Sequence, residues 1–216
     1  MAAVRPSLYI HTILNANGTI AQDFLGSHAT YISVPWKYAY PVPASISTQV
    51  AAAALLQGLT AVSFFEEAYK VKKGDTILVH TVAGGLGLLF AQLARRVGAT
   101  VIGTTSTQGK ADLARANGAD HVILYPVEDT VKRVLELTNN EGVDAVFDGV
   151  GKDTCVIFFH LFRTGAEISK SIRFDNNFKL IKRKGTIVCV GNASGAVEPF
   201  SLPKLVEKNV KLLRPT

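Results

Sequence analysis

The chain has 216 residues, which is enough for one well-packed core or for one domain and part of another. Apolar residues make up 48% of it and charged residues 19%, a composition that excludes an intrinsically disordered protein. The net charge of +6 suits anionic ligands such as phosphates, although an ordinary solvated surface explains it more readily than nucleic-acid binding.

Two cysteines, Cys155 and Cys189, show neither a CxxC motif nor the spacing of metal ligands. This pattern indicates a reducing compartment and no disulfide framework. No apolar run approaches the roughly 18 residues that a membrane span needs, and the first residues do not resemble a signal peptide. We therefore expect a cytoplasmic protein with no membrane span and no metal site.

The amino-terminal part of the chain is the least regular. Residues 1–26 show no clear periodicity, and residues 27–46 read as a strand and an extended, proline-containing connection. A helix is predicted from Ser47 to Lys70, because Ser47 or Thr48 can cap the alanine- and leucine-rich run that follows. Gly58 is expected to interrupt this helix.

From residue 77 onward, short apolar strands alternate with helices. This alternation predicts an α/β fold with a parallel sheet covered on both faces, and six strands match the doubly wound Rossmann sheet. The predicted strands are 77–80, 100–105, 121–125, 143–151, 185–191 and 210–214, and the predicted helices are 86–97, 110–118 and 130–138.

The segment VAGGLG, residues 82–87, lies between the first of these strands and its helix. Backbone N–H groups and the helix dipole make such a turn a phosphate site. Val82 replaces the first glycine of the usual GxGxxG motif, so the surrounding strand and helix indicate a dinucleotide site more strongly than the glycines do. We expect dinucleotide binding, with Gly84 close to the pyrophosphate and Gly87 at the helix–strand contact; the alternative is a tight turn without a ligand.

The end of the second strand indicates which dinucleotide is bound. An acidic residue there would bind the ribose 2′-hydroxyl of NAD, but Thr105 and Ser106 occupy the position. Hydroxyl groups and the nearby Lys110 would instead hold a 2′-phosphate. The sequence therefore favours NADPH over NADH, although Lys110 can also be read as a surface lysine.

Longer stretches of the chain resemble one family. LLQGLTAVSFFEEAYKVKKGDTILVHTVAGGLG, GTTSTQGKADLARANGADHVILY, FDGVGKDT and LIKRKGTIVCVGNASGAVEPFSL resemble the zeta-crystallin-like NADPH:quinone oxidoreductases of the medium-chain dehydrogenase/reductase superfamily. The resemblance covers residues 24–154 and 174–216. VGNASG, together with LLRP near the end, is more specific to the family than the glycine turn.

The resemblance implies a set of cofactor-binding residues and no catalytic side chain. Tyr125 can also be read as a strand-end aromatic residue, and Asn192 as a turn residue. The implied set is Thr60 at the nicotinamide end, Ala83, Gly84, Gly85, Leu86 and Gly87 around the pyrophosphate, Ser106 and Lys110 at the 2′-phosphate, Tyr125 near the adenosine, and Val150, Gly191 and Asn192 along the ribose and nicotinamide.

The function implied by the resemblance is hydride transfer from NADPH to a quinone or similar electron-poor acceptor, without zinc. In such enzymes the protein supplies mainly position and electrostatics. The family also implies a homodimer joined through the edge strand at 210–214. The alternatives are a fragment that binds NADPH without turnover and a module that binds AU-rich RNA.

The chain departs from the family pattern in two ways. Residues 1–46 are expected to be a remnant of the family's β-rich, GroES-like substrate domain with its connection, and residues 47–216 to form the NADPH-binding Rossmann domain. Because most of the substrate domain is missing from this pattern, we expect the chain alone to be weakly active or inactive. Residues 155–173 have no family counterpart, and our hypothesis is that they are a translated intron.

Overall fold

A computed structural model describes residues 2–4, 9–11, 32–34, 39–151, 174–197 and 199–215, the residues before 41 by their backbone alone. The chain divides into two compact units, residues 1–60 and residues 61–215. The expected insert, 155–173, lies wholly outside the described residues, so its origin stays a hypothesis.

The first unit contains two small antiparallel sheets and most of one helix. Strand β1 (Ala2–Val4) pairs with β3 (Ile32–Val34), and β2 (Tyr9–His11) pairs with β4 (Ala39–Pro41). Helix α1 (Thr48–Ser63) follows these strands.

Helix α1 begins as predicted and ends later than Gly58 suggested. The Ser47 Oγ accepts a hydrogen bond of 3.2 Å from the N–H of Val50, which caps the first turn. The helix continues through Gly58, so the predicted interruption was wrong. A glycine costs a helix about 1 kcal/mol relative to alanine, and the preceding run of alanine and leucine offsets that cost.

Helix α1 continues into a turn of π-helix, Phe64–Ala68. By length and composition alone, the combined segment Thr48–Ala68 could cross a membrane. This is weak evidence, since core helices of soluble proteins meet the same criteria, and Phe64 and Phe65 are buried in the core of the second unit. The absence of a membrane span stays a prediction.

The second unit contains a six-stranded parallel sheet, which confirms the predicted α/β doubly wound fold. Along the sheet the strand order is β10-β9-β8-β5-β6-β7, and every neighbouring pair is parallel. The strands are β5 (Thr76–Val79), β6 (Thr100–Thr105), β7 (His121–Leu124), β8 (Val143–Asp148), β9 (Ile181–Cys189) and β10 (Lys211–Leu213).

The helices of this unit connect successive strands, and their ends follow local sequence signals. Thr107 and Asp129 cap two of them by accepting from the main-chain N–H of Lys110 and Lys132, and Gly98 ends another with a φ of 87°. The helices are α2 (Gly85–Val97), α3 (Gln108–Ala116), α4 (Thr130–Leu137), α5 (Asn176–Leu180) and α6 (Pro203–Val206).

The sheet buries side chains on both faces, as its apolar strands predict. In β5, Ile77 and Val79 pack into one core cluster, whereas Leu78 packs into the other. The first cluster contains four phenylalanine rings, of which Phe65, Phe90 and Phe147 have centroids 4.8 to 5.3 Å apart. Phe90 projects from α2, so this contact fastens α2 to the sheet.

Replacing Phe90 with alanine should lower the free energy of unfolding by about 3–5 kcal/mol, because it removes a fully buried ring and leaves a cavity. Chemical denaturation of the purified protein measures the change. Phe90→Leu, which keeps most of the volume, serves as the control and should lose less. An equal loss in both variants would contradict a role for the ring contacts.

Candidate functional site

The candidate site lies along the carboxyl ends of the strands. The strand order reverses between β5 and β8, the central neighbours from which the chain proceeds in opposite directions. In doubly wound sheets, ligands bind outside the carboxyl ends at this switch point. The predicted site residues outside the first unit all follow one of five strands, β5 to β9, so the topology brings their loops to one edge.

The glycine turn after β5 directs free backbone donors toward this edge. Thr81 adopts a φ of 53°, and its carbonyl accepts from the N–H of Gly84 at 2.8 Å. Helix α2 then starts, its first internal bond running from Leu88 N–H to the Gly84 carbonyl. Within the described chain, the N–H groups of residues 85–87 make no hydrogen bond, so they and the helix dipole can bind an anion.

Gly87 has no room for a side chain. A Cβ atom there would lie 2.6 Å from the Thr81 carbonyl oxygen and 2.7 Å from that of Val82. Gly84 is also crowded, since its Cβ would lie 3.1 Å from the same Thr81 oxygen. The two glycines therefore let α2 begin directly against the end of β5.

Val82, which replaces the first motif glycine, is accommodated by a glycine on the next strand. Its side chain is fully buried, and a Cβ at Gly103 in β6 would overlap the Val82 side chain. The N–H of Val82 also donates to the Thr104 carbonyl at 3.0 Å. The small residue has in effect moved from the turn to the neighbouring strand.

Ser106 and Lys110 lie together at the end of β6. Lys110 is exposed on the first turn of α3, and its Nζ lies 3.4 Å from the Ser106 Oγ. A hydroxyl and an ammonium group thus occupy the position where a carboxylate would contact a ribose 2′-hydroxyl.

The loops after β8 and β9 lie against each other. Val150 is buried, and its carbonyl accepts from the N–H of Ser194 at 2.8 Å. A Cβ at Gly191 would lie 2.8 Å from the Gly149 carbonyl oxygen, so the loops approach at backbone distance. The structure therefore brings Val150 and Gly191 together, with Asn192 exposed beside them.

Three further predicted residues lie at the margins. Ala83 is partly buried against the core just before the turn of Gly84. Tyr125, partly buried, follows β7 and donates its main-chain N–H to the Thr105 carbonyl at 3.2 Å. Thr60 belongs to the first unit, where its Oγ1 donates to the Leu56 carbonyl at 2.8 Å. Its proposed contact with the nicotinamide stays a prediction.

Sequence reasoning missed a buried polar cluster beneath these loops. His80 contacts Thr104 through Nδ1 (3.1 Å) and Asn177 through Nε2 (3.0 Å). Asn177 in turn donates from Nδ2 to Asp148 at 2.8 Å. The available signal was a polar residue, His80 or Asp148, at the end of each otherwise apolar strand.

Cys189 lies at the end of β9, near the site. Burial, and secondarily the nearby Asp148 carboxylate, raises the pKa of its thiol to about 11. At neutral pH the thiol is therefore protonated and a poor nucleophile. Among the described residues, no three histidine, cysteine or acidic side chains cluster as metal ligands.

A family model described as zinc-binding dehydrogenase matches residues 85–169. Over 191 residues, the chain is 41% identical to a probable quinone oxidoreductase of Schizosaccharomyces pombe, a match that covers 88% of this chain and 52% of the relative. The chain is a homologue of the quinone oxidoreductases. The resemblance inferred from the sequence to this group of the medium-chain dehydrogenase/reductase superfamily is thus confirmed.

Solved structures agree with the sequence matches. The quinone oxidoreductase of Escherichia coli complexed with NADPH is 34% identical with a TM-score of 0.75, covering 87% of this chain and 52% of that one. A mycobacterial protein complexed with NADPH is 38% identical with a TM-score of 0.73, covering 87% and 53%. The chain spans about half the length of the curated relatives it matches.

The contact between Val82 and Gly103 predicts energetic coupling in this homologue. Gly103→Ala alone should destabilise the protein by about 1–3 kcal/mol, because the new methyl group overlaps Val82. Adding Val82→Gly, which restores the usual motif glycine, should recover part of that loss. A double-mutant cycle of unfolding free energies measures the coupling; strictly additive losses would contradict the compensation.

Proposed function

We propose that this chain binds NADPH along the carboxyl edge of its sheet and positions the nicotinamide for hydride transfer to a quinone or a similar electron-poor acceptor. The support is homology to quinone oxidoreductases and similarity to two solved structures that are complexed with NADPH. The resemblance to zinc-independent reductases supports transfer without zinc. The cysteine pattern supports a cytoplasmic location.

The observation that carries the proposal is the pair Ser106 and Lys110. A 2′-phosphate carries negative charge, so a carboxylate at the end of β6 would repel it, whereas this pair offers a hydroxyl and an ammonium group 3.4 Å apart. A charge-assisted hydrogen bond of this kind contributes about 1.5–3 kcal/mol. This pair would select NADPH over NADH.

The remaining residues would hold the rest of the dinucleotide. The free N–H groups of residues 85–87 would bind the pyrophosphate, with Ala83 and Gly84 forming the turn beneath it. Tyr125 would lie beside the adenosine. Val150, Gly191 and Asn192 would line the nicotinamide ribose.

In this mechanism the chain's own residues bind and orient. NADPH, when bound, supplies the hydride. The buried Val150 and the backbone contact at Gly191 would fix one side of the nicotinamide pocket and exclude water from it. Positioning of this kind lowers the barrier because the reactants no longer have to find their geometry by diffusion.

A second candidate function is NADPH binding without turnover. The observation that favours it is that the candidate site residues described above all serve the cofactor and none is assigned to the acceptor. Following NADPH absorbance after addition of a simple quinone separates the two functions, since oxidation of the cofactor requires turnover.

Lys110→Ala should weaken NADPH binding about tenfold to a hundredfold and leave NADH binding nearly unchanged, because only NADPH carries the 2′-phosphate. Titration of nicotinamide fluorescence with each cofactor measures both dissociation constants. Lys132→Ala is a matched control, since Lys132 is an exposed lysine on α4 with only a 4.0 Å ion pair. Equal weakening of NADPH and NADH by Lys110→Ala would remove the 2′-phosphate role.

We also propose that two copies associate through β10, at one edge of the sheet. The main-chain groups of successive residues in a strand point alternately to its two neighbours. Because the N–H of Val190 in the segment after β9 donates to the Asp148 carbonyl of β8, the main-chain groups of Ile187 point the other way, toward β10, where Ile187 pairs with Leu212. In a parallel pair of this register, the N–H and C=O of Leu212 face away from β9. An outward row of this kind can pair with another chain.

The opposite edge, β7, is blocked by the chain itself at its last residue, Leu124. Glu128 Oε1 accepts from the Leu124 N–H at 2.7 Å. The Leu124 carbonyl accepts from the N–H groups of Val127 and Glu128 at 3.0 and 2.9 Å. The outward backbone groups of Leu124 are thus occupied, which favours β10 as the edge that pairs.

Leu212→Pro should convert a dimer to a monomer, because proline removes the outward N–H and adds bulk at the edge while leaving the bonds to β9. Light scattering over a range of concentrations measures the mass. Val122→Pro, at an outward position of β7, is the matched control and should leave the dimer intact. A wild-type chain that stays monomeric at high concentration would contradict pairing through β10.

A further inference from the structure

Four buried side chains connect the two loops that flank the candidate cofactor site. His80, Thr104, Asp148 and Asn177 are all at most 3% exposed, and they come from the ends of β5, β6 and β8 and from α5. Buried polar groups are costly unless they are paired. Here one consistent assignment of hydrogen atoms pairs every link.

The donors and acceptors of these hydrogen bonds can be assigned starting from Asp148. Asn177 donates Nδ2–H to Asp148, so its Oδ1 is an acceptor and must receive the hydrogen from His80 Nε2. The Nδ1 of His80 lies 3.1 Å from the Thr104 Oγ1, and the Thr104 hydroxyl can donate to it. The direction of the bond between His80 and Asn177 therefore follows from the orientation of the Asn177 amide.

Each end of this series of side-chain hydrogen bonds contacts one loop of the site. The Thr104 Oγ1 accepts from the N–H of Thr81 at 3.4 Å, where the glycine turn begins. The Asp148 Oδ1 accepts from the N–H groups of Val150 and Gly151 at 2.9 and 3.2 Å. The glycine turn and the 149–151 loop are thus joined through side chains as well as through the sheet.

We propose that His80 and Asn177 are positioning residues that hold the glycine turn and the 149–151 loop in one fixed relative placement. The importance of this placement for catalysis rests on the proposed function, in which the glycine turn binds the pyrophosphate and the 149–151 loop lies on the nicotinamide side. Both side chains are buried beneath the loops, so they would act on the cofactor through the loops. Their effect is that both halves of one dinucleotide meet loops that are already in register.

Asn177→Leu tests the connection without any cofactor. The substitution keeps a similar volume and removes both side-chain bonds. Hydrogen exchange of the Thr81 and Gly151 amides should accelerate about tenfold or more at both sites, although neither amide bonds to Asn177 itself. Acceleration confined to Gly151, with Thr81 unchanged, would overturn the proposal.

The same variant tests the role in binding. NADPH affinity should fall about tenfold, whereas 2′,5′-ADP, which lacks the nicotinamide half and so does not reach the 149–151 loop, should bind within about twofold of the wild type. Val101→Ala, a fully buried change at the amino end of β6, is the control for lost stability. It should leave both affinities unchanged below its melting temperature.

The outcomes separate the two proposals. A wild-type chain that binds neither ligand refutes the proposed function, and the exchange measurement still decides whether the loops are coupled. If the wild type binds NADPH and Asn177→Leu weakens NADPH and 2′,5′-ADP equally, the positioning role is refuted and the proposed function stands.

Discussion

The candidate site depends on how closely helix α2 approaches the end of β5. At Gly87 the main chain of the helix lies almost in contact with the carbonyl groups of Thr81 and Val82, closer than any side chain would allow. This approach directs the free N–H groups of the first turn outward at the switch point of the sheet. A side chain at position 87 would push the helix away from the strand and move those donors.

Local features were predictable from the sequence. The six strands, the helix caps at Thr107 and Asp129 and the glycine at the end of α2 each follow from residues a few positions apart. The pairing of Ser106 with Lys110 is of the same kind, since four positions span one turn at the start of a helix. Gly58 shows the limit of such signals, because one unfavourable residue does not end a helix that its neighbours favour.

Contacts between distant parts of the chain could not be predicted in the same way. His80 and Asn177 are 97 positions apart, and only the folded sheet brings them together. The exchange of small and large residues between Val82 and Gly103 likewise depends on the register of β5 against β6. A sequence taken alone shows a missing glycine in the turn and an unexplained glycine in a strand, with no indication that each accounts for the other.

The two edges of the sheet are chemically unequal. On β7 the Glu128 carboxylate accepts from the outward N–H of Leu124, whereas on β10 the main-chain N–H and C=O of Leu212 face away from the sheet. A subunit with two open edges could add neighbours on both sides and grow into a fibre. With β7 blocked at Leu124, the proposed pairing of two copies would be favoured at β10, and a two-fold axis there would use the open edge of each copy. The carboxylate of Glu128 would thus help to prevent further copies from adding at β7 and extending the assembly into a fibre.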